Sequence, residues 1–148
     1  MRALVQRVAR ASVRAGGEEI AAIGAGLLIL LGVKRSEAVG EAARLADRCA
    51  HLRVFHDEQG KMNRSVLDIG GAILVVSQFT LYADVSRGRR PGFELAARPE
   101  EAEPEFGRFC DALEAQGVPT RRGRFGATME VELVNDGPVT ILLEGPLG

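Results

Sequence analysis

Leu27-Leu28-Ile29-Leu30-Leu31-Gly32-Val33 is an unbroken apolar run entered through the turn Gly24-Ala25-Gly26. A short apolar run bounded by glycine fits a strand buried on both faces. It is far too short to cross a bilayer. The segments on either side decide what covers it. Upstream, residues 2–14 mix Val and Leu with polar residues and read as a strand. Gly16-Gly17 marks a turn, and Glu19 to Ile23 reads as a short second strand. Downstream, Ser36 is a candidate N-cap. After it, Ala38, Ala42, Leu45, Cys49 and Leu52 recur at spacings of four and three, which predicts an amphipathic helix of about four turns.

The alternation continues irregularly. Arg53 to His56 reads as a strand leading into the hairpin-type loop Asp57-Glu58-Gln59-Gly60. Ala72 to Tyr82 is a second long apolar strand, followed by a polar, basic surface loop from Asp84 to Gly92. Ala102, Phe106, Phe109 and Leu113 mark a second helix closed by Gly117 at C′. Pro104 suits that helix only in its first turn. Met129, Val131 and Leu133 alternate with Glu130, Glu132 and Val134, a strand period. Asn135-Asp136-Gly137-Pro138 then reads as a turn before a last strand, Val139 to Leu143. Two helices among many strands, without regular alternation, point to an α+β fold and away from a doubly wound one. The expected architecture is one domain over residues 1–148. Mixed, mostly antiparallel strands form a barrel-like double sheet layer, with two main helices packed on one side.

Composition bounds the function. The chain has 148 residues, 46% hydrophobic and 26% charged, with a formal net charge of −1. That balance argues against a general nucleic-acid binder, which is usually basic, and no DNA partner is expected. The charge is nevertheless clustered: Arg87, Arg89 and Arg90 form one group, and Arg121, Arg122 and Arg124 another. Each is either a solvated loop or a small phosphate footprint. Cys49 and Cys110 lie within helical patterns and read as buried small hydrophobes without metal-ligand spacing. The strand-like start at Met1-Arg2-Ala3-Leu4 predicts no signal peptide, and with no spanning segment expected the location is expected to be cytoplasmic, away from membranes.

Familiar catalytic sets are missing: there is no P-loop, no G-x-S-x-G elbow and no zinc signature. His51 and His56 sit beside no candidate nucleophile. Three other segments interrupt apolar patterns with polar or aromatic groups. Ser77-Gln78-Phe79-Thr80-Leu81-Tyr82 needs partners for three polar side chains, either in neighbouring loops or in a pocket they line. Phe125-Gly126-Ala127-Thr128-Met129 is either core packing or a holder for a flat base, with an aromatic and a thioether flanking small residues. Asn135 to Thr140 is, on pattern alone, a turn.

Taken together, Ser77-Gln78-Phe79-Thr80-Leu81 and Asn135-Asp136-Gly137-Pro138-Val139-Thr140 closely resemble the paired signature of the D-aminoacyl-tRNA deacylase family. The likeness extends through Val5-Gln6-Arg7-Val8, Lys61 to Ser65, Gly88-Arg89-Arg90-Pro91 and Phe125-Gly126-Ala127. Gly92 and Thr128 depart from it, standing where Ser and Asp are common. The resemblance implies a homodimeric hydrolase, without metal or cofactor, acting at the 3′ end of aminoacyl-tRNA. Ser77, Gln78, Phe79 and Thr80 would build the catalytic pocket. Gly137 and Pro138, joined by a cis peptide and held by Arg7, would enter the partner's pocket and exclude L side chains by backbone collision, a chiral filter. Glycine, lacking a side chain, would be accepted too, including glycine mischarged on alanine tRNA. Phe125, Gly126, Ala127 and Met129 would bind the terminal adenosine, and Arg87, Arg89 and Arg90 would meet tRNA phosphates. No general base lies within Ser77 to Tyr82, so the ribose 2′-OH of the substrate is expected to assist hydrolysis. The rivals are a same-fold enzyme that chiefly clears glycine, and a non-catalytic RNA-binding module that leaves the ester intact.

Overall fold

β1 (Arg2–Ala15) is the strand around which the rest is arranged, and the computed structural model describes it together with everything else through residue 146. One edge of β1 carries two antiparallel partners in succession. β3 (Gly26–Gly32) pairs with residues 2–8, and β2 (Glu18–Ile23) with residues 11–15. The other edge pairs along nearly its whole length with β8 (Met129–Glu144). Parallel pairing then extends the sheet from β3 to β6 (Ala72–Ser77) and on to β7 (Thr120–Arg122). The result is a mixed, strongly curved, barrel-like layer. β4 (Phe55–His56) and β5 (Met62–Arg64) make a separate small hairpin.

The apolar run at 27–33 does what its composition requires. Leu27, Ile29 and Leu31 face one side with Ala3, Val5, Ile73 and Val75, and both helices cover them: α1 (Glu41–His51) through Leu45 and Cys49, α2 (Pro99–Ala115) through Phe106, Phe109 and Leu113. Leu28, Leu74 and Val76 face the other side with Val8, Ala11 and Val13, closed by the half-buried Met129, Val131 and Leu133 of β8. Each fully buried Leu or Phe contributes about 1.5–3 kcal/mol relative to exposure, so the double-sided run anchors both layers.

Four local expectations are corrected. α1 begins after Gly40, not at Ser36; Ala38 is outside it, and the helix has 11 residues. One tertiary and one local contact hold the intervening segment: the Ser36 N–H donates to Glu101 Oε2 at 3.4 Å and the Lys34 N–H to Glu37 Oε2 at 3.1 Å. α2 starts earlier than its apolar positions suggest, with Pro99 in the first turn, so Pro104 lies inside the helix. The predicted strand to Tyr82 stops at Ser77, and Phe79–Tyr82 curls into a 3-10 turn. Gly32 permits this, because a Cβ there would come within 3.0 Å of Leu81 Cβ and 3.2 Å of the Gln78 carbonyl oxygen. Finally, Asn135 to Pro138 is not a turn between two strands. β8 is one strand of 16 residues. Between the pairs Gln6–Thr140 and Val8–Asn135, β8 advances five residues while β1 advances two, so three residues are extruded as a bulge. No helix among the described residues is long and apolar enough to cross a membrane.

Candidate active site

A cavity of about 650 Å³ opens where β6 ends. Ser77, Gln78 and Phe79 form one wall because β6 hands over to the 3-10 turn there. Phe125 to Met129, the link from β7 into β8, forms another. Phe125 is backed by Phe106 of α2, with ring centroids 6.0 Å apart. Gly123 leaves room for the thioether of Met129, since a Cβ at 123 would lie 3.0 Å from its sulfur. At the rim, Phe79 is 55% exposed and meets Phe93 edge to face at 5.0 Å. The two segments singled out in the sequence as pocket and base holder therefore share one cavity.

Thr80 is beside the cavity and not in its lining. Its hydroxyl accepts a hydrogen bond from the Gln78 side-chain amide. The first rung of the 3-10 turn runs from the Leu81 N–H to the Gln78 carbonyl at 3.2 Å. The N–H groups of Phe79 and Thr80 precede that rung, and leading N–H groups of a helical turn have no partner within it.

The lining contains no His, Lys, Asp, Glu, Cys or Tyr. His51 lies at the end of α1, where its Nδ1 is 3.3 Å from the Asp47 carboxylate. Burial pushes the Cys49 and Cys110 thiols up to about 12, and burial first, with Glu37 adding to it, raises the Tyr82 phenol to about 12 as well. Neither thiol is a thiolate at neutral pH. Among the described residues, no group of three His, Cys, Asp or Glu side chains is arranged to hold a metal ion.

The remaining predicted residues lie outside this cavity's lining. Arg7 is 6% exposed, and its Nε donates to the Asp136 carbonyl at 2.9 Å while a terminal nitrogen donates to the Val54 carbonyl at 2.7 Å. The Asn135 side chain closes the base of the bulge, accepting from the Val139 N–H at 3.1 Å and donating to Thr140 Oγ1 at 3.0 Å. Gly137 has φ +136°, and a Cβ there would meet Val139 Cγ2 at 2.9 Å and the Arg7 guanidinium at 3.1 Å. The Gly137–Pro138 bond is cis, as is Gly145–Pro146. Arg87, Arg89 and Arg90 are exposed on a loop closed by two backbone hydrogen bonds between Asp84 and Gly92, 2.7 and 2.8 Å. The Ser86 hydroxyl and N–H hold the Asp84 carboxyl below its usual range. Arg122, by contrast, is paired with Asp111 and Glu114 and is a structural residue.

Sequence reasoning missed Arg35, Phe93 and Arg98 in the cavity wall and the Val54 carbonyl as a partner of Arg7. The only local signal was Arg98-Pro99 at a helix start.

The family described as D-Tyr-tRNA(Tyr) deacylase matches residues 4–144. A D-aminoacyl-tRNA deacylase of Symbiobacterium thermophilum is 60% identical over 144 residues, covering 97% of this chain and 95% of that protein. A solved structure of a c-Myc DNA unwinding element binding protein superposes with a TM-score of 0.93 at 46% identity, over 99% of this chain and 100% of that one. A probable eukaryotic D-amino acid tRNA deacylase has the same fold at 16% identity, with a TM-score of 0.84 over 96% of this chain and 97% of that one.

Proposed function

The chain belongs to the D-Tyr-tRNA(Tyr) deacylase family, and from that premise we propose that it hydrolyses the ester of D-aminoacyl-tRNA, and of glycine mischarged on alanine tRNA, by a route in which the RNA supplies the reactive hydroxyl. The observation that carries this reading is the cavity lining, which joins Ser77, Gln78 and Phe79 to Phe125–Met129 yet offers no general base. The terminal adenosine lies against Phe125, Gly126, Ala127 and Met129, where an aromatic face and a thioether suit a flat base. The aminoacyl ester then reaches Ser77, Gln78 and Phe79. Its carbonyl oxygen takes the N–H groups of Phe79 and Thr80 as it gains negative charge. The vicinal 2′-OH of the ribose positions and activates the attacking water. An aminoacyl ester is already reactive, so positioning and charge stabilisation supply most of the modest acceleration needed.

Discrimination rests on the bulge of β8. In a homodimer, Gly137 and Pro138 of one protomer enter the partner's cavity, and their carbonyl oxygens occupy the space an L side chain requires. Backbone atoms make that rejection indifferent to side-chain type. The rigid anchoring of the bulge by Arg7 and Asn135 supports this role. Arg87, Arg89 and Arg90 meet tRNA phosphates from their exposed loop. The name of the 46%-identical protein raises DNA as a rival ligand, but a net charge of −1 does not favour a duplex footprint. The location proposed is the cytoplasm, where charged tRNA is found. An ester-hydrolysis time course on matched D- and L-tyrosyl-tRNA tests the reading. Hydrolysis of the D-ester alone is expected; no turnover of either, with tRNA still bound, leaves a binding module instead.

A further inference from the structure

The cavity wall has a third part that neither the base nor the ester explains. Among its lining residues the only charged side chains are Arg35 and Arg98. Neither forms an ion pair among the described residues, and both are exposed. They come from distant parts of the chain, and backbone pairing holds those parts together. The Arg35 N–H donates to the Leu95 carbonyl at 2.8 Å and the Ala97 N–H to the Val33 carbonyl at 3.0 Å, with a further bridge between Lys34 and Ala96. The nearby glutamates are drawn elsewhere. Glu37, Glu100, Glu101 and Glu105 line a separate cleft of about 280 Å³. Two uncompensated guanidiniums at the rim of a carboxylate-free cavity fit an anionic part of whatever enters it. The helix end adds little, since Pro99 has no N–H to offer and Glu100 and Glu101 already occupy the first turn of α2.

We infer that Arg35 and Arg98 form a phosphate subsite, holding the phosphate that joins the terminal adenosine to the nucleotide before it. This rests on the deacylase reading above and extends it. The adenosine and its ester fill the two uncharged walls, and the 5′ side of the ribose then meets the arginines. Arginine suits phosphate through its planar, two-pronged donors. The contact is made equally in ground and transition states, so it lowers KM and leaves kcat largely alone. It is also blind to the chirality of the amino acid.

The experiment is titration calorimetry of the full protein with adenosine 5′-monophosphate and with adenosine, on wild type, R35A/R98A and R35K/R98K. Hydrolysis of the D-tyrosyl 3′-esters of the same two nucleosides is followed in parallel. Wild type is expected to bind the phosphorylated nucleoside about tenfold more tightly, with a salt slope steeper than that for adenosine because ions screen the phosphate contact. R35A/R98A is expected to bring the two affinities within twofold and to remove the added slope, while R35K/R98K keeps part of both. Equal wild-type affinities, or an unchanged gap in R35A/R98A, overturns the phosphate subsite. If the gap behaves as expected but neither ester is hydrolysed, the subsite stands and the deacylase reading fails.

Discussion

Replacing Arg7 by Ala tests the link between the bulge and selectivity. Arg7 is 6% exposed and donates to two backbone carbonyls, Asp136 at 2.9 Å and Val54 at 2.7 Å. Hydrogen bonds from a charged donor contribute about 1.5–3 kcal/mol each, with little solvent screening at this depth. The Asp136 carboxylate, 3.6 Å from Nε and 61% exposed, adds little. Only the Asp136 bond reaches the bulge itself, so removing the guanidinium weakens its anchoring by at most about 3 kcal/mol, roughly a 150-fold shift from held to released at the upper end. If the released bulge no longer excludes L side chains, hydrolysis of L-tyrosyl-tRNA rises by a factor approaching that shift, while the D-ester is still turned over. Arg7→Lys restores only part of the selectivity, because one ammonium cannot span both carbonyls as a guanidinium does. Thermal denaturation separates this from general unfolding: were all 3 kcal/mol lost globally, the midpoint would fall by roughly 6–12 °C for a chain this size. A folded Arg7→Ala protein whose rate on L-tyrosyl-tRNA stays within threefold of wild type refutes the reasoning.

Light scattering at micromolar concentration is expected to give twice the 15.8 kDa chain mass, and a monomer with full chiral selectivity would exclude a cross-subunit filter. Thr80→Ala is expected to retain substantial activity, since its hydroxyl is outside the cavity lining, whereas tRNA ending in 2′-deoxyadenosine is expected to react far more slowly. The opposite pair of results would make Thr80 the nucleophile. Alanine at Arg87, Arg89 and Arg90 together is expected to flatten the salt dependence of tRNA binding by roughly 0.7–0.9 per lost contact, and unchanged binding at every salt concentration would return the loop to a solvated one. The raised thiol values of Cys49 and Cys110 imply that above pH 9.0 the folded state holds protons the unfolded state releases, so the thiols' contribution to stability is full below pH 9.0 and is lost as pH rises from there toward about 12. Denaturant titrations across that range, with C49A and C110A as controls, measure the loss; a slope unchanged in both variants would assign it to other groups.

The buried run at 27–33 was readable because its composition leaves a strand only one way to satisfy both faces. Gly117 was readable as a helix stop because its backbone, at φ +92°, needs a glycine. Ser36 misled because an N-cap preference is worth about 1 kcal/mol, and contacts to Glu101 and the loop around Glu37 outweigh it. Asn135 to Pro138 has turn composition, yet long pairing with β1 on both sides keeps it within one strand as a bulge. The cavity was legible only in halves. Ser77–Phe79 and Phe125–Met129 each carry an interrupted pattern, and the family resemblance joined them. Arg35, Phe93 and Arg98 carry no such pattern, because tertiary pairing of the 33–35 and 95–97 segments brings them to the wall.

The bulge in β8 has a second effect, on assembly gone wrong. β8 has 16 residues and, among the described strands, pairs only with β1. A free edge of that length is a template onto which any stray strand can add. The extruded residues break it into two shorter rows, Met129 to Val134 and Val139 to Glu144, that no regular strand can follow in one register. Exposed Glu130 and Glu132 add like charge to the first row. A straightened β8, with the extruded residues deleted to restore continuous pairing, would therefore leave a chain that folds but aggregates at concentrations where the native protein stays clear.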